Sequence, residues 1–274
     1  MVSQVALVDG VATPLDQARI AVTDAGVARG DGAFETVGVW DGVPFRVEDH
    51  LARLDRSLAA IGLPPAPLTA VRRDMARALD GQGGDGALRL FITATGTRIV
   101  ALADPPARVS LDRLVSQPAP WIRPVGTYGP ATAKTMSYGP NMAASRAAQR
   151  AGGDDALLVS LEGLVLEGPT FAVLWVRDGA LVAPDLDLGL VDSISRRTLA
   201  DVAGDAGIAW RVGRYDLEEI RSADEVLTCS SVRPARPLRQ IDDRVLPAAA
   251  PVTARLADGL TARRRGRPDR GRRP

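Results

Sequence analysis

Lysine is almost missing from this chain: of its 34 basic residues only Lys134 is not an arginine. Cysteine is as scarce. The single Cys229 excludes an intramolecular disulfide, and one histidine beside one cysteine leaves no conventional zinc site, so no metal is expected. No apolar run approaches the ~20 residues that span a bilayer. The opening Met1-Val2-Ser3-Gln4-Val5-Ala6 lacks the basic segment and apolar stretch of a secretory signal. A cytoplasmic protein without membrane contact is therefore expected. What is present is 274 residues, 46% of them hydrophobic, with a mean hydropathy of +0.00. That is enough for one large domain or two ordinary ones.

The near absence of lysine gives Lys134 its weight. Arginine cannot lose its proton and act as a nitrogen nucleophile, whereas a lysine amine can attack a carbonyl and form a Schiff base. Standing against that reading, Lys134 could be the last surface lysine left by biased codon usage. Net charge hides a second asymmetry. The stretch 263–274 holds seven arginines and one aspartate, a local +6, so the rest carries 1 − 6 = −5. Without apolar periodicity or interleaved aromatics, this stretch is expected to be a disordered, solvated tail with no specific nucleic-acid partner.

Hydrophobic patterning predicts strands over 4–8, 33–40, 43–46, 87–95 and 109–115, and helices over 47–61 and 68–79. Gln117-Pro118-Ala119-Pro120 with Pro124 reads as a linker. Beyond it, a helix is expected over 141–151 and a meander of strands at 156–160, 164–166, 171–176 and 180–182. A helix over 193–206, a strand near 209–212, a short helix near 217–222 and a strand over 225–229 follow. Consecutive strands mixed with helices predict two α+β lobes: 1–116, a linker 117–124, a larger lobe 125–262, then the tail 263–274.

Four further features could carry chemistry. Glu167 ends an apolar run; it is either a hairpin carboxylate in water or a buried group needing a cationic partner. Ser193-Ile194-Ser195 opens a helix, where free N–H groups and the dipole suit a phosphate, or where Asp192 or Ser193 simply caps. Arg53 flanks the apolar stripe of its helix, placed for a solvent-side ion pair or for a phosphate. Arg29-Gly30-Asp31-Gly32-Ala33-Phe34-Glu35-Thr36 puts two glycines before a strand and so is no dinucleotide fingerprint.

Arg29 to Thr36, Pro44-Phe45-Arg46 through Leu51-Ala52-Arg53-Leu54, Lys134, Asp154-Asp155-Ala156-Leu157 through Leu166-Glu167-Gly168, and Ile194-Ser195-Arg196 occur here in a telling order. It resembles that of the fold-type IV, or class IV, pyridoxal phosphate (PLP) aminotransferases and lyases over about residues 4–246. The resemblance implies a small N-terminal α/β lobe, a larger C-terminal pseudo-barrel lobe, PLP as cofactor, a small-molecule substrate and a homodimer. It makes Lys134 the Schiff-base lysine and Arg53 the phosphate arginine. Glu167 becomes the partner of the pyridine nitrogen, Ser193, Ile194 and Ser195 a phosphate cup, and Ser231 a further phosphate hydroxyl. Tyr138 lies one residue from where a cofactor-facing tyrosine is expected. Arg29, Phe34, Thr36, Arg89, Arg98 and Arg233 are candidate substrate contacts. Two departures stand out: Ser193 replaces the usual glycine, and Thr95-Gly96 replaces an Arg-Gly of the D-amino acid enzymes. Within the family the pattern is most similar to the aminodeoxychorismate lyases, which release pyruvate and 4-aminobenzoate. A class IV aminotransferase is the alternative, and a non-catalytic binding protein a remote one.

Overall fold

Alternation along Gly32–Trp40 organises the first part of the molecule, because every second side chain of that strand is driven to one face. The computed structural model describes residues 4–106 and 111–266. They form two compact units, one of residues 4–106, 133–138 and 263–266, the other of residues 111–132 and 139–262.

In the first unit, β1 (Val5–Val8) and β2 (Val11–Pro14) form a hairpin, and α1 (Ala25–Arg29) leads into β3 (Gly32–Trp40) and β4 (Val43–Pro44). Helices α2 (Val47–Ala60) and α3 (Leu68–Leu79) precede β5 (Gly86–Thr93) and β6 (Arg98–Ala103). The six strands form one antiparallel sheet in the order β2-β1-β6-β5-β3-β4. On one face, Val37, Val39, Leu88, Leu90, Val100 and Leu102 meet Leu51, Leu54 and Leu58 of α2 and Val71 and Met75 of α3. Each such fully buried side chain contributes roughly 1.5–3 kcal/mol. Next to the leucine stripe of α2 runs a second buried one that is polar: His50, Arg53 and Ser57, at i, i+3 and i+7.

The second unit holds β7 (Arg113–Pro118), α4 (Gly139–Arg150), β8 (Asp155–Val159), β9 (Ala172–Arg177), β10 (Ala180–Pro184) and α5 (Ile194–Asp205). They are followed by β11 (Trp210–Gly213), α6 (Leu217–Arg221), β12 (Glu225–Ser230), β13 (Arg233–Pro237), β14 (Gln240–Ile241), β15 (Arg244–Val245) and α7 (Pro251–Arg265), whose residues 263–265 count with the first unit. One sheet runs β15-β14-β7-β8 and another β11-β10-β9-β12-β13. Trp175 and Val173 of β9 fill the core on one side of the second sheet, while Leu174 packs with Leu199 of α5 and Leu256 and Leu260 of α7 on the other.

Several sequence expectations change here. The meander does not exist as drawn: β8 pairs in parallel with β7, and β9 belongs to the other sheet. Residues 164–166 make only isolated bridges, because the turn at Gly163 (φ 83°) folds them onto β8 and Val165 N–H is taken by the Tyr215 carbonyl. The expected linker begins inside β7, whose last residue, Pro118, needs no N–H there. The strand forecast over 109–115 lies at 113–118, with 109 and 110 outside the described residues. Helix α7 runs through Arg263–Arg265, so those three arginines are helical, and the rest of the expected tail from residue 267 lies outside the described residues. Arg265 bonds Asp41 and Asp85 at 2.6 and 2.7 Å, and the Arg264 guanidinium lies 4.9 Å from the Trp40 ring centroid.

Candidate active site

Lys134 sits on an extended segment that lies along the start of β3. Phe34 N–H donates to the Lys134 carbonyl (3.0 Å), Met136 N–H to the Gly32 carbonyl (2.9 Å), and Thr135 bridges Ala33. The Lys134 N–H donates to Ser57 Oγ at 3.0 Å, and that hydroxyl donates to the Arg53 carbonyl at 2.8 Å. Backbone and α2 thus hold the residue from two sides while its amine reaches past them. Nζ lies 3.1 Å from the Tyr138 hydroxyl, 4.2 Å from the Phe34 ring centroid and 5.1 Å from the Tyr138 ring centroid. Phe34 packs edge-on against Tyr138 at 5.0 Å and stacks with Phe91 at 5.8 Å. The half-buried amine therefore has an aromatic floor and one hydroxyl partner. The local turn depends on Gly30, which ends α1 with φ 67°; a Cβ there would meet Ser137 Oγ at 2.8 Å.

Glu35 follows Phe34 and so points to the opposite, helix-covered face. Its carboxylate is fully buried and accepts from Arg53 Nε at 2.6 Å and Nη2 at 2.7 Å, with His50 Nδ1 at 2.7 Å from the oxygen that Nη2 shares. Burial alone would raise the Glu35 carboxyl, but the Arg53 guanidinium and the His50 ring outweigh it and hold the group at about 2. His50 is pushed below its ordinary value by burial, against the pull of Glu35, and so stays neutral at neutral pH. With a carboxylate at Nδ1, the proton sits on that nitrogen. Nε2 is buried with no hydrogen-bond partner among the described residues.

The substrate candidates separate by face. Thr36 and Arg89 are cross-strand partners on the Phe34 side of the sheet, with Arg89 exposed. Arg98 is occupied elsewhere: its Nε donates to the buried Asp74 at 2.8 Å, a structural ion pair. Arg29 is exposed in the last turn of α1. Thr95 is exposed, and its hydroxyl accepts from Ala25 N–H at 2.8 Å, a capping contact at the start of α1.

In the second unit, Glu167 is half-buried with Oε1 accepting from Val191 N–H at 3.3 Å. Its neighbour Gly168 cannot carry a side chain, since a Cβ would fall 2.1 Å from the Phe171 ring. Ser193 caps α5 by accepting from Arg196 N–H, and Ile194 and Ser195 are buried in the first turn. Arg196 is buried too, bonded to the Pro184 carbonyl at 2.8 Å, and it feels the Glu167 charge. Ser231 is half-buried in the turn between β12 and β13, where Arg233 begins the latter strand.

Lys134, Tyr138, Phe34 and Arg53 are thus joined in the first unit, and Glu167 lies beside the start of α5 in the second. Glu35, His50 and Ser57 were not foreseen, although a carboxylate on the buried face of β3 requires a cation. No cluster of metal-binding side chains occurs among the described residues, and no described helix is long and apolar enough to cross a membrane.

This two-unit α+β fold with a lysine pinned against the first sheet is that of the fold-type IV transaminases. A fold IV transaminase from Curtobacterium pusillum superposes with a TM-score of 0.87 at 31% identity, covering 94% of this chain and 99% of that one. In sequence the chain is 31% identical over 269 residues to a bifunctional aminodeoxychorismate lyase / D-amino acid transaminase of Mycobacterium tuberculosis (86% of this chain, 91% of that protein). It is 26% identical over 239 residues to an aminodeoxychorismate lyase of Bacillus subtilis, 80% of each chain. The family model for class IV amino-transferases matches residues 32–241, and the chain belongs to that family of PLP-dependent enzymes.

Proposed function

We propose that the protein is a PLP-dependent lyase that converts 4-amino-4-deoxychorismate to pyruvate and 4-aminobenzoate. The observation that carries the reading is the setting of the only ε-amine: Lys134 Nζ over the Phe34 ring and beside the Tyr138 hydroxyl, on a sheet face that also offers the Arg89 guanidinium. An aromatic floor suits a planar ring, and an exposed guanidinium suits a carboxylate. Two of the relatives above are named as lyases of this substrate.

The side chains present fit PLP. In the first unit a primary amine suits its aldehyde and the Arg53 guanidinium a phosphate; in the second, taken by itself, the N–H groups at the start of α5 with Ser195 suit a phosphate and Glu167 a protonated ring nitrogen. When bound, the cofactor supplies an electron sink for a substrate carbanion. Lys134 would hold the cofactor through its amine, and the same amine would serve as the base for the ring proton whose loss accompanies aromatisation. The Tyr138 hydroxyl would keep that amine aimed over the Phe34 ring. The atoms balance without water: the bond from the ring carbon to the ether oxygen breaks, the electrons of one ring C–H pass into the aromatic ring, and the abstracted proton ends on the methylene carbon of the departing enolpyruvate, which leaves as pyruvate. The enzyme is proposed to work as a cytoplasmic homodimer.

Transamination is the second reading, supported by the bifunctional name of the mycobacterial relative. Thr95 speaks against D-amino acids as substrates, since its hydroxyl caps α1 where the D-amino acid enzymes carry an arginine. Incubation with 4-amino-4-deoxychorismate should release pyruvate and 4-aminobenzoate in equal amounts, faster than any amino donor and keto acid pair exchange nitrogen. Amino exchange without pyruvate release would replace the lyase reading with the transaminase one.

A further inference from the structure

We propose that Glu35 is a positioning residue that orients the Arg53 guanidinium for the cofactor phosphate, with His50 holding the carboxylate in place. The inference rests on the reading of Arg53 as the phosphate arginine and goes beyond it, because neither Glu35 nor His50 reaches substrate or cofactor in that reading.

A guanidinium presents two bidentate edges in one plane. Glu35 occupies the Nε/Nη2 edge with both oxygens, at 2.6 and 2.7 Å, and so fixes the plane of the fork and the direction of its other edge. The carboxylate cannot swing, since it is wholly buried on the helix side of β3 and Oε2 also meets His50 Nδ1 at 2.7 Å. The three residues come from only two elements: Glu35 from β3, and His50 and Arg53 one turn apart on α2. The Arg53 carbonyl in turn receives Ser57 Oγ, and Ser57 receives the Lys134 N–H, so the orientation of the fork and the place of the amine share one hydrogen-bonded frame.

Plain electrostatics argues the other way. With His50 neutral, the trio carries +1 from Arg53 and −1 from Glu35, no net charge to attract a phosphate dianion. A carboxylate near an anion site weakens long-range attraction. What it offers is preorganisation: an arginine already stripped of water and held in one rotamer loses little more when phosphate arrives.

The two effects make opposite predictions for Glu35→Gln. If charge alone mattered, the variant would bind PLP more tightly than wild type. If orientation matters, it binds more weakly, by about tenfold to a hundredfold. The experiment is the ratio of PLP to pyridoxal affinity, measured by spectroscopic titration of the apo-protein. Pyridoxal lacks the phosphate, so damage to the Lys134 side of the site moves both ligands alike and leaves the ratio unchanged. Glu35→Asp accompanies Glu35→Gln, because it keeps the counter-charge of Arg53 and so the fold, yet is too short to reach both guanidinium nitrogens. The expected result is a ratio lowered by about tenfold or more in both variants, or in Glu35→Asp alone if Glu35→Gln does not fold. An unchanged or raised ratio in folded Glu35→Asp overturns the proposal. Arg53→Ala runs in parallel. If it too leaves the ratio unchanged, the phosphate reading of Arg53 has failed; if it lowers the ratio while Glu35→Asp does not, only the positioning role has.

Discussion

Two buried residues on the helix side of β3 give the molecule a defined acid response. In the unfolded chain His50 takes up a proton as pH falls through its ordinary value of 6.5, while burial resists that proton in the folded protein. The unfolded state then binds more protons, so folding stability begins to decline below about 6.5. Glu35 acts lower down. Its folded value of about 2 lies below the ordinary 4.5, so its contribution is complete above 4.5 and is lost as pH falls from there toward about 2. A shift of that size corresponds to about 3 kcal/mol. Urea unfolding followed from neutral to acid pH should show both declines, and Glu35→Gln should lose the lower one. Matching acid profiles for wild type and variant would remove Glu35 from the account.

At the scale of elements, α2, α3 and α5 were legible because their apolar spacing is strong and glycine, proline or a capping residue marks their ends. Expected limits of 47–61, 68–79 and 193–206 meet observed helices of Val47–Ala60, Leu68–Leu79 and Ile194–Asp205. Strands β13 to β15 are short and broken by polar residues, and the i, i+4, i+8 stripe of α7 has only three large apolar residues, Val252, Leu256 and Leu260, among alanines and arginines, so neither stood out. Lys134 and Glu167 could be singled out from the sequence as candidates because their residue types carry unusual chemistry at those positions. Burial itself was not legible, as at Arg53, which reads as an arginine flanking the apolar stripe, placed for an ion pair or a phosphate, and is buried against Glu35. Ser193 shows an element-scale role plainly, since its hydroxyl accepts from Arg196 N–H as the cap of α5. Ser193→Ala should therefore lower unfolding stability by about 1 kcal/mol, and Ser193→Gly by only a few tenths. Neither should move the PLP dissociation constant. A weakened PLP affinity with unchanged stability would assign the hydroxyl to the phosphate instead.

For the whole molecule, the lack of other lysines turns one side chain into a unique chemical address. Borohydride treatment of the PLP-reconstituted protein should add one pyridoxyl group per chain, recovered only on the peptide that contains Lys134. An intact chain with no such adduct would defeat the PLP assignment of Lys134. Lys134→Ala should still take up PLP weakly through its phosphate while losing turnover.

The segment 133–138 has a second consequence, for how the chain reaches its native state. Beside β3, β5 covers one edge along Gly32–Val39, whereas β4 covers the other only at Val39 and Trp40. The open stretch at Gly32–Phe34 is closed by the lysine-bearing segment, a hundred positions later in sequence (134 − 34 = 100). Until that segment has been made and has docked, a nascent chain presents an unpaired β edge, the kind of surface that recruits other chains. Contacts so distant in sequence form late and slowly. The segment that carries the only lysine is therefore also a guard against aggregation, and a chain interrupted before it would lack both.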